Sequence, residues 1–356
     1  MERLMLSIYC MKTFQTSFFD ESKRLAALSR LKDPLEELSK HIDFNMFRPI
    51  LTEALRKAER KSPAGRKPLD VILMFKALII QRLFNLSDEQ LEYQITDRLS
   101  FTRFLGLHIG ETIPDYTSFW GFREALAEKG LERQLFNQFS AKLEAEGVFA
   151  KKGSIIDATI VEVPKQRNSR EENARIKAGH VPAEWDDNKS SHKDTDARWV
   201  KKNGVSFFGY KDHIKTDAGT SLITDYRVTV ASTHDSVVLN ELVNEEDSGK
   251  PLHADSAYTG EEIEQVLEEL NIENKVCEKG YRGAPLTEAQ RRHNRQKSRI
   301  RAMVEHVFGF MENSMNGIFI RCIGIKRATC QIGLANLTYN ICRYSQLIRL
   351  NRVKVA

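Results

Sequence analysis

At 356 residues the chain is long enough for two domains and a sizeable core. Its 41% hydrophobic and 29% charged residues are ordinary for a globular protein, and no apolar run approaches the ~20 residues that cross a bilayer. The net charge of +5 suits a polyanionic partner without requiring one, but its distribution says more. Arg56 to Lys67, including Arg56, Lys57, Arg66 and Lys67, holds six basic residues against one acid. Arg282 to Arg301 holds seven against Glu288, and no acid follows Glu312. Solvated helix faces usually mix both signs, so one-signed stretches favour nucleic acid. The five cysteines are scattered without a C-x-x-C pair, which reads as reduced thiols in a cytosolic protein.

Residues 11–146 read as an all-helical region, with 1–10 as an upstream extension. Asp33-Pro34 caps and opens a helix through Lys40, and Phe44 to Ala58 forms another. A basic, breaker-rich linker, Lys61 to Pro68, precedes an apolar helix that starts at Pro68 or Leu69 and, through Val71 to Ile80, is hydrophobic on most faces and therefore central. Ser87-Asp-Glu-Gln90 is a capping-box pattern, and Gly106 stops a short helix begun at Ser100. Pro114 to Leu126, capped by Asp115, resembles the second helix of a helix-turn-helix spanning about 87–129. In that reading Tyr116, Thr117 and Arg123 reach DNA; equally, Phe119, Trp120, Phe122 and Leu126 form a core stripe.

Gly147 marks a boundary, and 150–345 reads as a second, mixed α and β domain. The stretch Lys152 to Pro164, rich in β-branched residues and ended by its proline, reads as a strand. Residues 165–203 form a long polar segment that is either functional or mobile. Phe207–Asp217 and Ser221–Ala231 pair as a hairpin; a helix over Val237–Asn244, a strand at Leu252–Asp255, a helix at Glu261–Leu270 and a strand at Ile272–Cys277 follow. Glu288 to Phe310 is a long helix. This βββαβαβα order matches a ribonuclease-H-like mixed sheet flanked by helices, giving an α+β or α/β chain with a helical arm in front.

Three carboxylates stand out against this background. Asp157 interrupts an apolar strand, Asp255 ends another, and Glu305 lies on the long helix. Burying one carboxylate costs several kcal/mol unless it is paired or bound to metal, so three in this topology suggest a shared cation. Hard oxygen ligands suit Mg²⁺ or Mn²⁺, and two such ions would serve an in-line displacement at phosphorus. Arg301, one turn before Glu305, is placed to neutralise a carboxylate or a phosphate. Arg291, Arg295 and Arg299 form an i, i+4 ridge for phosphate contacts.

Asp157-Ala-Thr, His253-Ala-Asp255-Ser-Ala-Tyr-Thr-Gly and Arg301-x-x-x-Glu305-His-Val-Phe-Gly resemble the DDE transposases of bacterial insertion sequences, of the insertion-sequence-five family. Leu86 to Phe101, Ile113 to Arg123 and Phe208-Gly-Tyr-Lys-x-His extend the likeness over most of the chain. The resemblance implies a ribonuclease-H-like catalytic domain holding two Mg²⁺ ions on Asp157, Asp255 and Glu305. It implies cutting and joining of DNA, with terminal inverted repeats and a target duplex as partners, by a homodimer or larger assembly at the bacterial nucleoid in the cytoplasm. Relatives often carry tyrosine and lysine where this chain has Ser298 and Glu312; Lys297 or Arg299 are the available substitutes for the lost cation. The rivals are a metal nuclease of the same fold that cuts without joining, and a non-catalytic DNA-binding relative.

Secondary features remain open at this stage. Lys211 or His213 contacts phosphate, or both are solvent-facing hairpin charges. His253 orients a ligand or is a hydrogen-bonded core residue, whereas His306 faces about 100° away from Glu305 and is no ligand. Trp185 and Trp199 stack on an unpaired base, or anchor the polar segment on the core.

Overall fold

A computed structural model of the chain describes residues 20–55, 69–108 and 110–353. The basic cluster of Arg56, Lys57, Arg66 and Lys67 and the proposed extension 1–10 lie outside the described residues. Eight helices come first: α1 (Asp20–Arg30), α2 (Pro34–His41), α3 (Arg48–Leu55), α4 (Val71–Leu83), α5 (Asp88–Asp97), α6 (Leu99–Leu105), α7 (Tyr116–Lys129) and α8 (Leu131–Ala145). Their ends follow local chemistry. Asp33 caps α2 by accepting from Leu35 N, Ser87 and Gln90 complete the capping box of α5, and Gly106 closes α6 in the left-handed region. The apolar helix starts at Val71, two or three residues later than a start at Leu69 or Pro68, because the Asp70 carboxylate accepts from Ile72 N and Leu73 N.

The sheet contains β1 (Ser154–Glu162), then, after short helices α9 (Arg170–Lys177) and α10 (Asp187–Ser191), β2 (Arg198–Lys202), β3 (Val205–Asp217) and β4 (Ile223–Val230). Short α11 (Leu239–Leu242), β5 (Pro251–His253), α12 (Glu261–Glu269) and β6 (Glu273–Asn274) follow, then α13 (Glu288–Arg301), α14 (Glu305–Asn313) and α15 (Ile325–Arg349). Strand β3 is antiparallel to β1 on one side and to β4 on the other, and β1 continues parallel to β5 and β5 to β6. The order β4-β3-β1-β5-β6 is that of a ribonuclease-H-like sheet, as the element order predicts. Strand β2 is the addition: it hairpins onto the outer end of β3 through Asn203-Gly204, whose φ angles of 51° and 82° suit a tight primed turn.

Two sequence expectations are corrected here. The span Glu288–Phe310 is not one helix: a 3₁₀ turn over Ala302–Val304 separates α13 from α14. Residues 165–203 are not structureless. Trp185 is buried and donates to Glu172 at 2.6 Å, and buried Asp194 accepts from Tyr210, Ala197 N and Gly324 N. Trp185 therefore anchors the segment, while Trp199 stays 45% exposed and packs its ring against Phe208 at 5.1 Å.

Helix α15 organises the molecule. One apolar cluster runs from Leu35, Phe75 and Phe119 of the helices through Leu334 and Leu337 of α15 to Ile155, Ile214 and Tyr226 of the sheet. The helical region is thus packed on the sheet across α15. Buried polar side chains of α15 are matched to specific partners: Asn340 accepts from Ile223 N and donates to its carbonyl, and Tyr339 donates to Ser221 O. Gly333 has no Cβ because one there would collide with the Tyr226 hydroxyl. No helix among the described residues is long and apolar enough to cross a membrane.

Candidate active site and nucleic-acid surfaces

The register of β1 and β5 brings the two aspartates together. Ile155 pairs with His253 in parallel, so Asp157 and Asp255, each two residues further on, share one face of the sheet. Asp157 Oδ1 accepts from Ala158 N at 2.8 Å, which orients the carboxylate. Asp255 caps the short turn Ser256–Tyr258 by accepting from Ala257 N at 2.8 Å. The third acid arrives on the helix laid over this face. Arg301, the last residue of α13, points its Nη1 between Asp157 Oδ2 at 2.8 Å and Glu305 Oε1 at 3.5 Å. Val304 and Val307, both fully buried, seat the α13–α14 junction on the core.

The electrostatics of the cluster are unbalanced. Burial raises the Asp157 carboxyl to about 6; Ala158 N–H and Arg301 pull it down, and the charges of Asp255 and Glu305 push it up again. One guanidinium is thus shared by Asp157 and Glu305, while the charge of Asp255 acts on Asp157 from beside them. Among the described residues no three His, Cys, Asp or Glu side chains are drawn together closely enough to hold a metal ion. Arg301 stands where two of them would meet. Donor type and excess negative charge nonetheless fit a hard divalent cation, and Glu305, 60% exposed, is free to turn toward one. His253 is 5% exposed and its burial pushes the imidazole below its ordinary range, so it is a neutral core histidine.

The arginines of the i, i+4 ridge lie along α13. Arg291, Arg295 and Arg299 are exposed on α13, with no ion-pair partner among the described residues. The opposite side is pinned down: Asn294 exchanges two hydrogen bonds with the Glu278 backbone, and Lys297 donates to Val276 O at 2.8 Å. Lys297 is thereby committed to the backbone, which leaves Arg299 as the exposed cation near the site.

Two expected DNA contacts are corrected. Arg123 is 7% exposed, with Nη1 and Nη2 donating to the two Asp88 oxygens at 2.6 and 2.8 Å; its guanidinium belongs to the interior and reaches no base. Lys211 lies on the sheet face opposite Asp157 and donates to Asp235 Oδ1 at 2.8 Å and Thr233 O at 2.7 Å. Its neighbour on that face, His213, is wholly buried against Thr229, so neither is a solvent-facing charge. Helix α7 splits its residues between the two readings of the sequence. Phe119 and Leu126 are core, whereas Tyr116 (47%), Thr117 and Trp120 (52%) stay exposed.

Comparison with known proteins bears on this arrangement. Residues 149–341 match the family described as transposase DDE domain, and residues 23–125 match a transposase domain family (DUF772). Among solved structures the chain is similar to a piggyBac transposase synaptic complex with hairpin DNA, at 11% identity and a TM-score of 0.44, covering 91% of this chain and 77% of that one. It is also similar to a pre-cleavage Mos1 transpososome at 10% identity and a TM-score of 0.26, covering 96% and 100%. The family rests on the domain matches. With more than half of its length in the DDE match, the chain belongs to the transposase DDE domain family: it is a DDE transposase of insertion-sequence type, an enzyme of divalent-metal chemistry that cleaves DNA and transfers its strands.

Proposed function

We propose that Asp157, Asp255 and Glu305 are the metal-holding carboxylates of this transposase, with two Mg²⁺ or Mn²⁺ ions as the metals. Its substrates would be the terminal inverted repeats of an element of the insertion-sequence-five family and a target duplex. The observation that carries this reading is the Arg301 bridge between Asp157 and Glu305 on the face shared with Asp255. When bound, the ions activate the attacking oxygen and stabilise the leaving one in an in-line displacement at phosphorus.

The chain's own residues do the rest. Ala158 N–H holds Asp157 Oδ1, leaving Oδ2 as the oxygen that exchanges partners. Asp255 is held by its turn, so two of the three acids are positioned in advance. Glu305, exposed at the start of α14, closes last. Arg301, which bridges Asp157 and Glu305, would give up Asp157 to a bound cation and offer its charge to the scissile phosphate, offsetting the negative charge of the transition state. The exposed Arg291, Arg295 and Arg299 ridge carries the duplex toward the site, and Tyr116 and Thr117 offer side chains to base edges. The protein would work as a dimer or larger assembly on DNA, at the nucleoid.

Calorimetric Mn²⁺ titration paired with a cleavage assay tests the exchange. Arg301→Ala should bind Mn²⁺ at least as tightly as wild type, because a competitor for Asp157 is gone, while cleaving about a hundredfold more slowly. Weaker metal binding by this variant would count against the exchange and make Arg301 a support for the acids.

A further inference from the structure

A second charged site lies away from the carboxylates, in a cavity of about 610 Å³ where α4, α5 and α7 meet the start of α15. Its floor holds Arg82, which is 6% exposed. Its guanidinium donates to a neutral group, Gln331 Oε1, at 2.9 Å. The carboxylate that would ordinarily accompany such a cation is occupied: Asp88 receives both arms of Arg123 and the amide of Gln81. At the mouth, Glu124 is taken by Arg327 at 2.6 Å, and among the described residues Arg321 donates to the amide oxygen of Asn85 alone, at 3.1 Å. Two guanidiniums, one of them buried, thus border a single cavity with no carboxylate paired to either among the described residues.

A buried cation without a counter-ion costs several kcal/mol, and arginine cannot escape by losing its proton at neutral pH. Burial first, then the charges of Arg123 and Arg321, lower the Arg82 guanidinium to about 10, still charged at pH 7; Asp88, already clamped by Arg123, opposes this only weakly and makes no ion pair with Arg82. Glu89 also borders the cavity, but it is exposed and screened by solvent. The missing partner is an anion with several oxygens, matched to the planar fork of a guanidinium. Trp120, 52% exposed, presents an aromatic face at the same opening, suited to a sugar or base beside that anion.

We propose that this cavity binds a phosphate group of DNA, held by Arg82 and Arg321 with Trp120 against the adjoining nucleoside. The identification of the phosphate as DNA rests on the function proposed above; the anion site itself does not.

The first measurement is thermal melting of the full-length protein in sodium phosphate and in sodium chloride at equal ionic strength, without DNA or metal. Wild type should melt higher in phosphate. Arg82→Met should abolish that difference and melt no lower than wild type in chloride, since it removes a buried charge that no carboxylate directly pairs among the described residues. Arg321→Gln, at the rim, should shrink the difference without touching the core, and serves if Arg82→Met does not fold. A phosphate response unchanged in Arg321→Gln, or absent in wild type, would overturn the site.

The second measurement is fluorescence anisotropy of a labelled duplex carrying the element end, and of a random duplex of equal length, across salt. Arg321→Gln should lower the salt slope by about one unit. Loss with both duplexes assigns the site to any backbone; loss with the end duplex alone assigns it to the element end. A phosphate response with unchanged slopes on both would make it a site for free phosphate and sink the DNA assignment. Neither measurement involves Asp157, Asp255 or Glu305, so this proposal and the catalytic one can fail separately.

Discussion

Two carboxylate–arginine pairs, one in each half of the molecule, show how the same chemistry serves opposite ends. In the helical half Asp88 is clamped by both arms of Arg123 and by Gln81; burial works against its charge, yet these donors hold its carboxyl below the ordinary value. In the sheet half burial raises the Asp157 carboxyl to about 6; the Ala158 N–H and the single arm of Arg301, shared with Glu305, only partly offset it, and Asp255 and Glu305 add to the rise. The first pair is complete and needs nothing. The second is short of positive charge, and that deficit is what the proposed cations would make good. A buried ion pair is weak evidence of function by itself; what matters is whether its charges balance.

The largest expected effect comes from removing the unbalanced acids. Asp157→Asn, Asp255→Asn and Glu305→Gln should each lower strand cleavage roughly a thousandfold or more, as several kcal/mol of transition-state stabilisation is lost. Binding of end duplex should persist, and melting should not fall. Cleavage within tenfold of wild type by any of the three would remove that residue from the metal site.

Breaking the balanced pair should do the reverse. Asp88→Asn leaves the Arg123 charge buried and half-partnered, at a cost of about 3–5 kcal/mol in unfolding free energy. Arg123→Ala should cost a similar amount, and neither should alter the preference for one DNA sequence over another once the protein is folded. Denaturant unfolding beside a competition binding assay would separate the two effects, and a changed base preference would restore Arg123 to the DNA surface.

The opposite shifts also give opposite pH dependence. Asp88 has a depressed folded pKa, so it stabilises the protein above its unfolded pKa and loses that contribution as pH falls. Asp157 has a raised one: its favourable contribution is full below 3.8 and is lost as pH rises through about 6. In metal-free protein the difference is on the order of 3 kcal/mol for Asp157. Asp157→Asn should therefore gain stability over wild type as pH climbs from 4 to 7. A parallel pair of stability curves would mean that Arg301 balances Asp157 after all.

The smallest effect belongs to the exposed ridge. Replacing Arg295 and Arg299 with alanine should weaken DNA binding for all sequences alike and lower the salt slope by about one unit per contact. Identical slopes would leave the ridge a solvated face.

Much of this was legible from local pattern. Asp157 sits in a β-branched run with a proline at its end, and such a run is a strand wherever it lies. Arg301 and Glu305 are four apart, a spacing that survives even where the helix tightens at Ala302–Val304. The hairpin of β2 and β3 was missed although its signal is present: Asn203-Gly204 is flanked by Trp199, Val200, Val205 and Phe207, and the polar residues around it hid the alternation. Helix α15 was missed for another reason. Buried on most faces, it carries Gln331, Asn336, Thr338, Asn340 and Ser345 in its interior, so no apolar stripe announces it.

By itself, then, the sequence determined what depends on neighbours along the chain: the capped helix starts, the strand bearing Asp157, the spacing of Arg301 and Glu305, and the one-signed ridge of α13. The tertiary structure decided what each charge faces. Arg123 and the α13 arginines are alike as letters, and nothing local separates a cation that Asp88 will clamp from one left in solvent. Which one is buried depends on α15, more than two hundred residues further on, packing against α7 and closing the interior around it. The unpaired state of Arg82 arises in the same way: a long-range contact brought Gln331 to it where a carboxylate would have been needed.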